Sequence, residues 1–155
     1  MMKKKQNLLP LQEKQVDLLF EIVERVTGVG RKLAISKARR RFIVDARKMM
    51  IGLLRKEINL TCYQVGQVLN MDHSTVLYNE RMHNVHMMEK EFRRVYSCIL
   101  GTFLIDAAVQ AEKDLQDKFA ELELRTSLLL DSIANQRELI HSSFDNYNEK
   151  YLTKL

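Results

Sequence analysis

Five residues within one short stretch, Asp72, His73, Ser74, Thr75 and Tyr78, carry groups suited to the edges of bases. A carboxylate can accept from the exocyclic amine of cytosine or adenine, an imidazole can donate or accept, and a threonine methyl can touch the methyl of thymine. Short polar side chains gathered at a helix start are what a recognition helix inserts into a major groove. Catalysis is the weaker reading, because no nucleophile, base and orienting group recur together. His83 and His86 lie three apart with no third ligand nearby, so they read as two partly exposed histidines rather than a metal site. Cys62 and Cys98 are far apart without a C-x-x-C, as expected of reduced thiols in a cytosolic protein. The run from Gly28 to Leu33 lacks the spacing of a phosphate-cradling loop, so neither a nucleotide nor any other cofactor is expected.

A pair of helices must hold these groups. Thr61 followed by Gln64 is a capping box, and Val65, Val68 and Leu69 continue it at helical spacing. Asn70-Met71-Asp72 interrupts the pattern, and Asp72 is placed to cap a second helix whose Val76, Leu77 and Met82 can face inward. Upstream, Val16, Leu19, Phe20, Val23 and Val26 form one face of a helix over 12–26, which Gly28 and Gly30 end. A long central helix over 39–58 carries a stripe from Phe42 and Ile43 to Leu54 and Ile58, within which Gly52 marks close packing. Arg55 and Lys56 read as solvated charges complementing its dipole. A further helix over 87–100, with Phe92, Val95, Tyr96, Ile99 and Leu100, closes the bundle. The expected fold is all-α: a compact helical bundle with a helix-turn-helix, then a long helical extension with coiled-coil character.

At the run from Asp72 to Leu77, preceded by the capped helix and by Arg47-Lys48-Met49, the chain resembles the carboxy-terminal DNA-binding domain of DnaA, the bacterial replication initiator. The likeness covers roughly residues 12 to 100. It implies a helix-turn-helix of the Trp-repressor kind, with base contacts from the aspartate, histidine and hydroxyl residues at 72 to 75. It also implies a basic loop along the DNA backbone that sends an arginine into the minor groove, Arg39 or Arg40 by spacing. Lys37, Arg41, Arg47, Lys48 and Thr61 complete the set expected to touch backbone. Tyr78 stands where the family usually has histidine, and Asn70-Met71 replaces a Gly-Gly-Arg-like turn. The ATPase module of full-length DnaA does not fit in 155 residues, so ATP-driven origin opening is not carried over.

Charge distribution supports a polyanionic partner. Residues 1–60 hold 15 Lys/Arg against 6 Asp/Glu, residues 61–100 balance 4 against 4, and residues 101–155 hold 6 against 10, within a net +5. Six of the cations fall between Arg31 and Arg41 with no acid among them, which suits phosphates whose counterions they displace. Residues 1–11, with Lys3-Lys4-Lys5, read as a disordered basic arm, and Met1-Met2-Lys3 is not followed by a signal-peptide core. No apolar run is expected to span a membrane.

From Thr102 to Leu155 there is no Gly or Pro, and Leu115, Phe119, Leu122, Thr126, Leu129, Ile133, Gln136 and Ile140 approximate the seam of a coiled coil. A lone helix over 102–141 would run roughly 60 Å and could not bury its stripe. Self-association is therefore expected, and a reader that engages two half-sites gains affinity by it. The organisation expected is an arm over 1–11, a DNA-binding domain over 12–100 and an extension over 101–155 for oligomerisation or partner binding. Two functions follow: a sequence-specific double-stranded DNA-binding protein in replication or transcription control, cytoplasmic in a bacterium or encoded by a phage or mobile element; or an adaptor whose long acidic helix holds the main partner.

Overall fold

The computed structural model describes residues 7–152 and residue 154; the expected basic arm at Lys3-Lys4-Lys5 lies outside them. Six helices follow one another and no strand occurs among the described residues: α1 (Pro10–Thr27), α2 (Arg31–Ala34), α3 (Arg41–Lys56), α4 (Cys62–Leu69), α5 (His73–His86) and α6 (Lys90–Leu152). Two compact units result, one ending at Val109 and the other running from Gln110.

In the first unit the core is built around α3. Ile43, Ala46, Met49, Met50, Ile51, Leu53 and Leu54 are buried over several of its faces, as a central helix with neighbours on more than one side requires. Leu19, Ile22 and Val23 of α1, Val65 and Leu69 of α4, and Val76 of α5 close on it. Phe92, Tyr96, Ile99 and Phe103 of α6 complete the cluster. Pro10 opens α1, where its missing N–H costs nothing. Gly28 ends it in the left-handed conformation, φ 73°, with its N–H on the Glu24 carbonyl.

Several sequence expectations need correction. The helices expected over 87–100 and 102–141 are one: α6 passes through Gly101 without interruption and continues to Leu152. A glycine costs a helix only about 1 kcal/mol, and Phe103 beyond it is still buried at 2% exposure, so packing outweighs the local penalty. One 18-residue stretch of α6 is apolar enough to cross a membrane by length and composition alone, against expectation, with 17% of it buried. The basic segment is not a plain loop, since Arg31–Ala34 forms the short α2. Leu77, expected inward, is 40% exposed.

His83 departs furthest from its expected exposure. Its ring is fully buried, T-shaped to Tyr96 at 4.7 Å and to Phe92 at 5.6 Å, and among the described residues neither ring nitrogen has a partner in good hydrogen-bond geometry. Gly52 makes the room: a Cβ there would stand 2.7 Å from the His83 ring. Burial, with Lys56 adding a like charge, pushes the His83 pKa down to about 4, so the ring is neutral at physiological pH.

Candidate nucleic-acid interface

The turn between α4 and α5 is set by three local features. Thr61 caps α4, its hydroxyl accepting from the Gln64 N–H at 3.2 Å while the Thr61 N–H donates to Gln64 Oε1 at 2.9 Å. Asn70 takes the left-handed conformation, φ 53°, at the end of α4. Gly66 lets the chain double back, because a Cβ on it would lie 2.5 Å from the Met71 carbonyl oxygen, while the Met71 N–H donates to the Gly66 carbonyl at 2.9 Å. Asp72 then occupies the N-cap position of α5 in an extended conformation, without the side-chain capping bond expected of it.

The first turn of α5 divides between core and solvent. Val76 is fully buried and fixes the rotation of the helix, and Asp72, His73, Ser74, Thr75 and Tyr78 are all exposed. Five side chains suited to base edges therefore leave the protein at the amino end of a helix, where the backbone N–H groups also favour phosphate oxygens. The His73 ring stacks on Tyr63 of α4, centroids 4.7 Å apart and planes 23° from parallel. Tyr63 is itself 55% exposed. The sequence reading missed it because the stack joins two helices across the turn, and nothing in the local pattern marks it. Asn79 donates to the Thr75 carbonyl at 2.9 Å one turn below.

The basic segment is organised by an arginine expected to touch phosphate. Arg47 donates from Nε to the Ala34 carbonyl at 2.7 Å, from one terminal nitrogen to that of Ala38 at 2.7 Å, and from the other to those of Leu33 at 3.1 Å and Ser36. A guanidinium committed to four carbonyls holds the 33–38 backbone in shape, so Arg47 has an internal supporting role beside the basic segment. Its burial lowers its pKa. Lys48 is also turned inward. It is 8% exposed, and its ammonium donates to His86 Nε2 at 2.9 Å and lies 3.7 Å from Asp45. With Nε2 accepting, His86 Nδ1–H faces Glu89 at 2.9 Å. Arg55, expected to be solvated, donates to the Leu60 carbonyl at 2.6 Å and to Glu80 at 3.2 Å, joining α3 to the start of α4 and to α5.

Lys37, Arg39, Arg40 and Arg41 are exposed. Arg41 lies 3.8 Å from Asp45 and 3.9 Å from Glu89 with its side chain 85% exposed, a weak hold at that exposure. Arg31, in contrast, is engaged by Asp17 at 2.8 Å and stands over the Phe20 ring. Lys32, Lys37, Arg39 and Arg40 have no ion pair among the described residues. The cationic run is thus sorted into inward supports and outward charges available to a polyanion.

Residues 16–82 match the family model of the bacterial DnaA protein helix-turn-helix. The matched segment begins within α1, takes in the basic segment, α3 and α4, and stops inside α5, short of the residue 100 expected from the sequence. No curated protein and no solved structure matches the chain.

Proposed function

We propose, from the match of residues 16–82 to the bacterial DnaA helix-turn-helix, that the chain is a sequence-specific reader of double-stranded DNA. Its target is a DnaA-box-like site, and it acts without catalysis, cofactor or nucleotide in replication initiation, its regulation or transcription control, at the bacterial nucleoid or on phage or mobile-element DNA. The observation that carries this reading is the first turn of α5, where Asp72, His73, Ser74, Thr75 and Tyr78 face solvent while Val76 locks the helix to the core. Lys37, Arg39, Arg40 and Arg41 supply the sequence-independent part of the affinity through released counterions, and Arg39 or Arg40 enters the minor groove, whose negative potential suits arginine. The exposed Thr61 contacts backbone beside the turn.

The same reading assigns α6 beyond Val109 to self-association. Leu115, Phe119, Leu122, Leu129, Ile133 and Ile140 are each between 55% and 69% exposed, and a helix with such a face needs a second surface. That face also favours a second reading, an adaptor in which another protein covers α6 and DNA contact is secondary. Fluorescence anisotropy at physiological salt separates them. A reader prefers a DnaA-box-like duplex to a scrambled one by about three orders of magnitude or more; equal affinity would favour the adaptor.

A further inference from the structure

The second unit consists of helix from Gln110 to Leu152, and its apolar side chains lie open. Written as heptads, positions a are Glu112, Phe119, Thr126, Ile133, Ile140 and Tyr147, and positions d are Leu115, Leu122, Leu129, Gln136, Ser143 and Lys150. Two charged and three neutral polar residues interrupt the seam, and they decide which second surface it accepts. Deepening the self-association proposed above, and resting on it, we propose that α6 pairs with α6 of a second copy in antiparallel orientation, centred on Asp131.

In that register each a position faces the d position whose number completes 262. Glu112 then meets Lys150 of the second copy, Thr126 meets Gln136, and Phe119 meets Ser143, while Leu115, Leu122 and Leu129 meet Tyr147, Ile140 and Ile133. Opposite charges, hydrogen-bonding groups and apolar groups are matched in every layer but Phe119 with Ser143, where a large ring meets a small side chain, and each layer occurs twice by symmetry. The Thr126 hydroxyl donates to the Leu122 carbonyl at 2.8 Å within its own helix, leaving its lone pairs for the Gln136 amide. A shallow hollow lined by Leu139, Ile140, Ser143, Phe144 and Tyr147 exists already, floored by the small Ser143, and the Phe119 ring of the second copy is the group that falls there. On the flank, Glu123 comes opposite Arg137, and Leu130 comes opposite itself.

Parallel pairing in register does the reverse. Glu112 would face Glu112 and Lys150 would face Lys150 in the seam, two like-charge layers close enough to repel. Ser143 would face Ser143 over an unfilled hollow, and large Phe119 rings would crowd one layer.

Disulfide trapping of the full chain, with Cys62 and Cys98 replaced by serine, tests the orientation. Thr126→Cys alone and Gln136→Cys alone should stay uncross-linked under mild oxidation, and an equimolar mixture of the two should give a covalent dimer. Covalent dimers from either single variant would overturn the antiparallel orientation while leaving self-association intact. Sedimentation of the unmodified chain as a monomer at tens of micromolar would remove the self-association reading and this orientation with it. As an independent readout, Glu112→Lys should weaken dimerisation several-fold and Glu112→Lys/Lys150→Glu should restore it. No loss in the single variant would also count against the pairing.

Discussion

His73 is the side chain on which discrimination between DNA sequences should depend most. It leaves the protein at the first position of α5 and is steadied by the Tyr63 ring stacked on it. A group held in place loses less freedom when it binds. Replacing His73 by alanine should cost roughly 1 to 3 kcal/mol at the cognate site and little at scrambled DNA, read as a reduced ratio of the two affinities. An unchanged ratio would take His73 out of the reading set. Cations sort into two behaviours. Arg39→Ala should weaken binding to every sequence and lower the slope of log affinity against log salt by about one. Lys48→Met should leave that slope alone and shift the melting temperature, because Lys48 sits in the core against His86 and Asp45; a changed slope would return Lys48 to the interface. His83 makes stability depend on pH. The unfolded histidine has a pKa near 6.5 and the buried one about 4, so the unfolded chain takes up its proton first. The contribution of the neutral ring is complete above pH 6.5 and is lost as pH falls toward 4, by up to about 3 kcal/mol. Thermal melts of the wild type and of His83→Leu between pH 7 and 4 measure this, and parallel pH profiles for the two would contradict it.

Among the elements, the turn between α4 and α5 has the least room for change. Gly66 lies under the Met71 carbonyl, and a side chain there meets backbone rather than a movable side chain. Gly66→Ala should destabilise the first unit by about 1 to 3 kcal/mol and weaken DNA binding by displacing the start of α5; denaturant unfolding and anisotropy together would show it. A stable variant with unaltered affinity would mean that the turn does not position the reading residues. This capped helix, its turn and the polar opening of the next were legible from local signals: Thr61 with Gln64, the break at Asn70-Met71, and the run from Asp72 to Thr75. The packed face of α1 and the stripe of α3 were legible for the same reason, since periodicity records which face is buried. Periodicity does not record what lies opposite. Arg47 reads as one more surface cation until the carbonyls of residues 33 to 38 fold over it. Lys48 and His83 read as exposed until α3 and α5 pack together. Tyr63 gains its role only when the turn brings α5 back beside α4.

At the scale of the whole molecule, the chain joins two units of unlike chemistry through one helix, α6. The first has an excess of basic side chains and a buried core; the second is acidic and keeps its apolar seam on the surface. The charge division is legible in the sequence, and the helix that carries both units passes through Gly101 without a break, which local pattern does not reveal. In the proposed function the cationic face provides attraction to any duplex, and the opening of α5 provides the choice among duplexes. That division of labour is the central claim, and a cross-linking map of the full chain on duplex DNA tests it most directly. With Cys62 and Cys98 replaced by serine, a photoreactive group placed on Thr75→Cys should attach to base edges in the major groove of the preferred site, and one on Lys37→Cys should attach to the sugar-phosphate backbone of any duplex. Attachment of the Thr75→Cys probe only to backbone, or only to the protein itself, would contradict the account.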